Sequence, residues 1–186
     1  MQSILTRPRL FLYIRPQYAK ISRPCPENPP IPSAGLDRHD RAILEIIQRD
    51  NKTAQRVIAE AVNLSTAAVQ RRIAAMEKSG VITANVAVVD PDAVSATITA
   101  IVEIQLKDER AATADRAKDL FRRTPEVQQC FYVTGGISFV LIIISPNMPT
   151  YEALTRRLFA ENELVVSFRT LVALDRVKTG TAIVVP

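Results

Sequence analysis

The chain has 186 residues, 47% of them apolar and 23% charged. This composition supports one ordinary domain or two small ones and excludes global disorder. No apolar run reaches the roughly 18 residues that a membrane-spanning helix needs, so we expect no membrane association. The two cysteines, Cys25 and Cys130, and the one histidine, His39, are too few and too scattered to predict a metal site. We expect a protein of the reducing cytoplasm that needs no metal or cofactor.

The net charge of +5 is concentrated at the N-terminus. Residues 1–35 contain five basic residues and one acidic residue, whereas residues 36–90 contain eight and seven, and residues 91–186 contain eleven of each. The global charge therefore does not identify a nucleic-acid binder. Residues 1–35 are also rich in proline, and we predict that they are a disordered extension or reflect a start codon assigned too far upstream.

Three short helical patterns follow the proline-rich segment. Asp37 is a typical N-cap, and Asp40 falls in the first turn, where a carboxylate faces the positive end of the helix. Thr53 is predicted to cap a second helix, while Ser65 caps a third and Gly80 ends it. The apolar periods predict these inward side chains: Ile43, Leu44, Ile46 and Ile47 in the first helix, Ile58, Ala61 and Val62 in the second, and Val69, Ile73 and Met76 in the third.

The turn before the third helix and the apolar run after it indicate a DNA-reading unit. Asn63 stands where a left-handed residue is needed before the third helix. "VITANVAVV" then reads as a strand, and "DPDAVS" as a linker. Three helices with a tight turn and a following strand are typical of a winged helix-turn-helix, which we assign to residues 36–82, with the strand and linker at 83–96.

The outward face of the third helix carries the candidate DNA contacts. Gln and Arg side chains can form paired hydrogen bonds with base edges, and small Ala and Thr side chains allow close approach to the major groove. The helix N-terminus also offers backbone amides to a phosphate. The predicted DNA-binding residues are Ser65, Thr66, Ala67, Gln70 and Arg71. The pattern alone also fits a three-helix bundle whose polar face is merely solvated.

Residues 97–186 change to a strand-rich pattern. "ITAIVEIQL" alternates, a helix is predicted over 111–123, and "EVQQCFYV" and "ISFVLIII" read as two strands joined by a double-glycine hairpin. A helix in "PTYEALTRRLFAEN" and a strand in "LVVSFRTLVAL" complete a βαββαβ order, which is ferredoxin-like and makes the chain an α+β protein. Two helices cover only one face of such a sheet, so we expect a second subunit to cover the other.

From Leu36 onward the sequence resembles the leucine-responsive regulator/AsnC (feast/famine) family of prokaryotic transcription factors. The resemblance rests on "LDRHDRAILEIIQRDNK", "LSTAAVQRRIAAMEKSGVI", "VEIQL", "VTGGISFVL", "YEALTRRLF" and "RTLVALDRVK", all in the family's order. It implies a sequence-specific regulator of transcription on double-stranded DNA in the nucleoid. It also implies a C-terminal regulation-of-amino-acid-metabolism (RAM) domain and homodimers that often assemble into octamers. The family's small-molecule effector is an amino acid or a related compound.

The glycine turn departs from the family's pattern. The family's usual turn is Gly-Asp-x-Asp-aromatic, whose acids suit an amino acid's ammonium group, whereas this chain has Gly136 and Ser138 at the acidic positions. Three alternatives follow: a less cationic ligand, an acid recruited from Glu103 or Asp175, or a turn that has lost sensing and keeps only assembly. The resemblance places these residues at the effector site: Thr134, Gly135, Gly136, Ser138, Arg169 and Thr170.

Three further expectations come from single residues and from rival functions. Arg72, beside inward Ile73, is expected to pair with an acid of its own domain rather than with DNA. The same two-domain architecture occurs in haem-biosynthesis decarboxylases, but His39 is expected to be exposed and the sequence contains no catalytic set, so we expect no enzyme. The remaining alternative is an architectural or assembly protein that binds DNA and has lost amino-acid sensing.

Overall fold

The computed structural model describes residues 35–186, and the prediction on the proline-rich N-terminal segment lies almost wholly outside this range. The first part of the described chain is a bundle of three helices, α1 (Arg38–Arg49), α2 (Gln55–Val62) and α3 (Thr66–Ser79). Their apolar sides form one core around fully buried Ile43, Ile58 and Val69. The predicted helix-turn-helix unit is therefore confirmed as a compact core of its own.

Most of the predicted helix ends are confirmed. The Asp37 carboxylate accepts hydrogen bonds from the amides of His39 and Asp40, and the Asp40 carboxylate accepts one in return from the Asp37 amide, which completes a capping box. Ser65 Oγ accepts a hydrogen bond from the Ala68 amide at 3.2 Å. Asn63, with φ of 54°, makes the left-handed turn before α3. Gly80, with φ of 81°, ends that helix.

Three local predictions about this bundle are wrong. The N-cap of α2 is Ala54, and the Thr53 hydroxyl instead donates to the Asp50 carbonyl. The side of α2 that packs against the bundle carries Ile58, Ala59 and Val62, which lie on one helical face, and Ala61 is exposed beside that face. His39 is half-buried, with Nδ1 3.1 Å from the Val62 carbonyl oxygen, because that end of α2 offers it a hydrogen-bond partner.

The run predicted as a strand after α3 forms no strand in the single chain. Residues 81–90 have no regular secondary structure, with a bend at Val81 and Ile82, and a short 3-10 turn at Asp92–Val94 follows. Their side chains are largely exposed, including Val86, Val88 and Val89. A strand requires a neighbouring backbone to receive its hydrogen bonds, and among residues 35–186 this segment is not hydrogen-bonded into a sheet.

The rest of the chain forms one antiparallel sheet with two helices on one face. Its elements are β1 (Ile98–Leu106), α4 (Ala111–Arg123), β2 (Val127–Tyr132), β3 (Phe139–Ser145), α5 (Met148–Thr155, followed by a π-helical turn at Arg156–Ala160) and β4 (Val165–Val172). The strand order is β2-β3-β1-β4, with antiparallel pairing throughout. This is the predicted ferredoxin-like arrangement.

The two faces of the sheet differ in burial. On the helix side, Phe121 is fully buried and packs edge-on against Phe139 and Phe159, with ring centroids 5.3 and 6.2 Å away. On the opposite side, Ile101, Ile142 and Ile144 are half-buried, and Phe131 and Leu171 are about half exposed. The single chain therefore leaves this outer face uncovered. No helix in the described part of the chain is both long and apolar enough to cross a membrane.

Candidate DNA interface and effector turn

The outward face of α3 presents the five predicted DNA contacts to solvent. Ser65, Thr66, Ala67, Gln70 and Arg71 are all exposed, while Val69 is fully buried. The inward and outward residues are separated as the helical period requires, since buried positions recur at three and four residues. The exposed face ends at the capped N-terminus of the helix, where a phosphate can meet the first backbone amides. The arrangement can present hydrogen-bonding side chains to base edges and amides to the backbone of one DNA groove.

Arg72 turns away from that face, as predicted. Its Nη1 lies 2.7 Å from Oδ2 of Asp37 and 2.8 Å from Oδ1 of Asp40, so α3 is tied to the capping box of α1. Neighbouring Arg71 is exposed. The two adjacent arginines therefore have different surroundings, one inside the domain and one on its surface.

These contacts shift the pKa values of Asp37 and Arg72. The hydrogen bond from the backbone amide of Asp40 is the largest cause of the lowered pKa of Asp37; burial opposes it, and the hydrogen bond from the Arg72 side chain adds a further, smaller lowering. Hydrogen bonds to Asp40 and then to Asp37 raise the pKa of Arg72. The ion pair is therefore fully charged at neutral pH.

The tip of the glycine turn is open to solvent. Gly135 and Gly136 have φ of 110° and 92°, a region that favours glycine, and the space beside each Cα is free. Thr134 is exposed beside them. The glycines are therefore required by backbone conformation rather than by a close neighbour, and the predicted hairpin is confirmed between Tyr132 and Phe139.

Ser138, the last polar residue of the turn, is buried, and its side chain is hydrogen-bonded within the protein. It is 2% exposed, and its Oγ accepts a hydrogen bond from the Leu106 amide at 3.0 Å. Its own amide donates to the Ile104 carbonyl at 2.8 Å, and its carbonyl accepts from Val133 at 3.0 Å. The side chain therefore closes the end of β1 rather than pointing into an open pocket.

Arg169 and Thr170 lie on opposite faces of β4. Arg169 is on the outer face, where it forms two hydrogen bonds with the Glu103 carboxylate on β1, at 2.8 and 2.9 Å. That ion pair lowers the pKa of Glu103. Thr170 Oγ1 lies 2.6 Å from the Tyr151 hydroxyl on the helix side. Glu103, considered as a replacement acid, already has a cationic partner.

The single chain thus gathers the predicted DNA contacts on one surface but does not gather the six predicted effector residues. Thr134 and the glycines are exposed at the turn, Ser138 is internal, and the two β4 residues diverge. The cross-strand pairing of Glu103 with Arg169 was missed because the register between β1 and β4 cannot be read from the sequence. Among residues 35–186 no group of His, Cys, Asp and Glu side chains is clustered as metal ligands would be.

Comparison with known proteins assigns one family to the helical bundle and another to the sheet domain. Residues 36–83 match the winged helix-turn-helix DNA-binding family, and residues 99–183 match the Lrp/AsnC ligand binding domain. The chain is 43% identical over 148 residues to an uncharacterized HTH-type transcriptional regulator of Sinorhizobium fredii, covering 80% of this chain and 88% of the relative. The chain belongs to the Lrp/AsnC family of transcriptional regulators.

Two further relatives place the chain within this family. The leucine-responsive regulatory protein of Escherichia coli K12 is 27% identical over 154 residues, covering 83% of this chain and 94% of the relative. The crystal structure of an AsnC family transcriptional regulator from Agrobacterium tumefaciens has a TM-score of 0.74 at 31% identity and covers 79% of this chain and 95% of that one. As an Lrp/AsnC regulator, the chain combines a DNA-binding domain with a ligand-binding domain.

Proposed function

We propose that this Lrp/AsnC regulator reads a specific DNA sequence with α3, acting by binding rather than by catalysis, in the cytoplasm at the nucleoid. Gln70 and Arg71 are the proposed base or phosphate contacts. Ser65, Thr66 and Ala67 are proposed to hold the helix N-terminus against the sugar-phosphate backbone.

The observation that carries this proposal is the separation of functions between Arg71 and Arg72. Arg72 is held by two carboxylates of its own domain, at 2.7 and 2.8 Å, and so fixes the angle between α3 and α1. Arg71 and Gln70 stand free on the surface that this angle presents. A rigid helix with two long polar side chains on its exposed face suits the major groove.

Paired substitutions on α3 test this assignment. Gln70→Ala with Arg71→Ala should weaken binding to the DNA upstream of the protein's own gene by about 30-fold or more, because two good base contacts at roughly 1–3 kcal/mol each sum to at least about 2 kcal/mol. Circular dichroism and the unfolding midpoint should stay at the wild-type values. The matched control is Glu77→Ala with Lys78→Ala, two exposed residues at the other end of α3, which should leave DNA affinity unchanged. Unchanged affinity of the Gln70/Arg71 variant would assign DNA reading to another face.

We further propose that the outer face of the sheet is the homodimer interface, and that dimers can assemble into octamers. The support is the uncovered apolar surface formed by Ile101, Ile142 and Ile144 with more exposed Phe131 and Leu171. Ile142→Glu should shift the molar mass measured by light scattering from oligomer to monomer. Val57→Glu, at an exposed valine of α2, should not change the mass. An Ile142→Glu protein with wild-type mass would refute this interface.

For the effector, we propose that the glycine turn takes a ligand less cationic than a free amino acid. Thr134, Gly135 and Gly136 are exposed there, and the candidate acid Glu103 is already paired with Arg169. A buried ammonium group without a counter-charge is costly. Calorimetry should therefore give weak or no binding of free amino acids, and N-acetylated amino acids should bind at least as well. Micromolar binding of a free amino acid that is lost on acetylation would contradict the proposal.

A second candidate is an architectural DNA-binding protein that has lost sensing. The observation favouring it is that Ser138 and Arg169 are both occupied by internal contacts. The two candidates differ in the affinity that they predict for DNA of random sequence, because an architectural protein binds by charge and with little sequence preference. Equal affinity for upstream and shuffled DNA would favour this second candidate.

A further inference from the structure

The last thirteen residues return to the DNA-binding domain. We call residues 174–186 the C-terminal strap. The ladder of the sheet ends just before it, where the Ala173 amide donates to the Thr99 carbonyl at 2.9 Å. The strap has no regular secondary structure, and most of its side chains are exposed. It is nevertheless attached to the rest of the chain at two separate places.

The first attachment is to the linker between the two domains. The Arg176 side chain is only 20% exposed, and its guanidinium contacts the Asp92 carboxylate, with Asp90 at 3.9 Å. Both acids lie between α3 and β1. The strap is therefore fastened to the segment that connects the DNA-binding domain to the sheet.

The second attachment is to α1 itself. The Gln48 side-chain amide donates to the Ile183 carbonyl at 3.3 Å, and its oxygen accepts from the Ile183 amide at 2.9 Å. One carboxamide thus pairs with both polar backbone groups of one residue, as a neighbouring strand would. Only Asn or Gln among uncharged side chains has both a donor and an acceptor in this geometry.

An apolar contact accompanies these hydrogen bonds. Val185 packs against the core of the helical bundle, while Ile183 and Val184 are 73% and 92% exposed. The strap forms one wall of a groove of about 710 Å³ whose other walls include Leu36, Ile47 and Ile82. The side chain of Val185 therefore extends the core of the DNA-binding domain with a residue from the far end of the chain.

We propose that the C-terminal strap fixes the orientation of the DNA-binding domain relative to the sheet domain, as a second connection beside the covalent linker. Since the strap continues directly from β4, it also couples the strand that carries Arg169 and Thr170 to α1. A domain held by two connections loses less orientational freedom when it binds DNA than a domain held by one. The strap thereby favours binding in which two DNA-reading domains must meet two half-sites at a fixed spacing.

Hydrogen exchange on the full chain measures this attachment without reference to DNA. Deletion of residues 181–186 should make the amides of the second half of α1 and of residues 81–88 exchange roughly tenfold faster, because the loss of backbone pairing and of a packed side chain opens these segments locally. Peptides from β1 and β3 should exchange as in the wild type. The affinity for DNA upstream of the protein's own gene should fall by about threefold to tenfold.

Point substitutions replace the deletion if it disturbs the whole fold. Gln48→Ala should also speed exchange at the end of α1, although alanine is the better helix former and would otherwise slow it. Glu45→Ala, at an exposed position of the same helix, is its control. Arg176→Gln should act in the same direction as Gln48→Ala, whereas Lys178→Gln removes the same charge from the same segment and should not. Wild-type exchange in both Gln48→Ala and Arg176→Gln would overturn the proposal.

Discussion

The proposed recognition helix α3 and the glycine turn differ in what their polar residues do. On α3, Gln70 and Arg71 are exposed, and the residue that orients the helix, Arg72, is a different one. At the turn, Ser138 serves the fold by accepting the Leu106 amide. The proposed DNA-reading residues are therefore all presented by one chain. The turn supplies mostly backbone and glycines, and the proposed effector residues are not gathered within one chain.

The largest effect on stability should come from a substitution in the core of the sheet domain. It tests whether the sheet domain, which carries the glycine turn, unfolds separately from the helical bundle, which carries α3. Phe121→Ala removes a fully buried ring that packs on Phe139 and Phe159, and it should lower the free energy of unfolding of the sheet domain by about 3–5 kcal/mol. In urea titration, the helical bundle should unfold in a separate, later transition, shifted only by the loss of the strap contacts. Leu174→Ala, at a fully exposed residue, should change stability by less than about 0.5 kcal/mol. If the bundle unfolded together with the sheet in the Phe121→Ala protein, the helical bundle and the sheet domain would be one cooperative unit.

Ser138→Ala tests the claim that this serine is structural. The substitution leaves the buried Leu106 amide without its partner, which should cost about 1–3 kcal/mol in the free energy of unfolding. The matched control is Ser167→Ala, at an exposed serine of β4, which should be nearly neutral. A stable Ser138→Ala protein with altered effector binding would instead return Ser138 to the ligand site.

Much of this contrast was predictable from sequence because the determinants on α3 are local. A capping residue, a left-handed Asn63 and a helical apolar period lie within one stretch of chain, and they fix which side of the helix faces out. The ferredoxin-like order followed in the same way from alternating strands and the double glycine.

The remaining features depend on contacts between distant parts of the chain. The partner of Arg169 depends on the register between β1 and β4, and the contact of Gln48 with Ile183 spans 135 residues. The prediction of a strand after α3 was wrong because the sequence pattern indicates only strand propensity, whereas a strand also needs a neighbouring backbone to pair with. Thr53 was a plausible cap by residue type, but it lies one residue too early.

Gly136→Ala should have a smaller effect, set by backbone conformation alone. A side chain there meets no neighbour within 4 Å, so the cost comes from φ of 92° and should be about 1 kcal/mol. Gly136→Asn should cost less, because Asn tolerates positive φ better than Ala. Gly180→Ala, whose glycine has no neighbour within 4 Å and is not in the positive-φ region, is the control for thermal unfolding. A loss of several kcal/mol in Gly136→Ala would show that this turn is packed rather than open.

The smallest effect concerns pH and the support of α3. The pKa of Asp37 is lowered in the folded state by the Asp40 amide and then by Arg72. This contribution to stability is therefore full above the unfolded pKa of about 4 and is lost as the pH falls through the folded pKa. Arg72→Gln should lower the melting temperature at pH 7, and the difference from wild type should shrink below pH 4. Arg71→Gln should show no such difference. A difference that is independent of pH would mean that Arg72 acts through packing rather than charge.

The most direct test of the account is the affinity ratio between the DNA upstream of the protein's own gene and a shuffled sequence of equal length and composition, measured with the full chain at two salt concentrations. Sequence reading by α3 predicts an upstream preference of about 1000-fold or more. Added salt should weaken both affinities while the preference persists, because the phosphate contacts are common to both DNAs. Equal affinity for the two DNAs at both salt concentrations would contradict sequence-specific regulation by this surface.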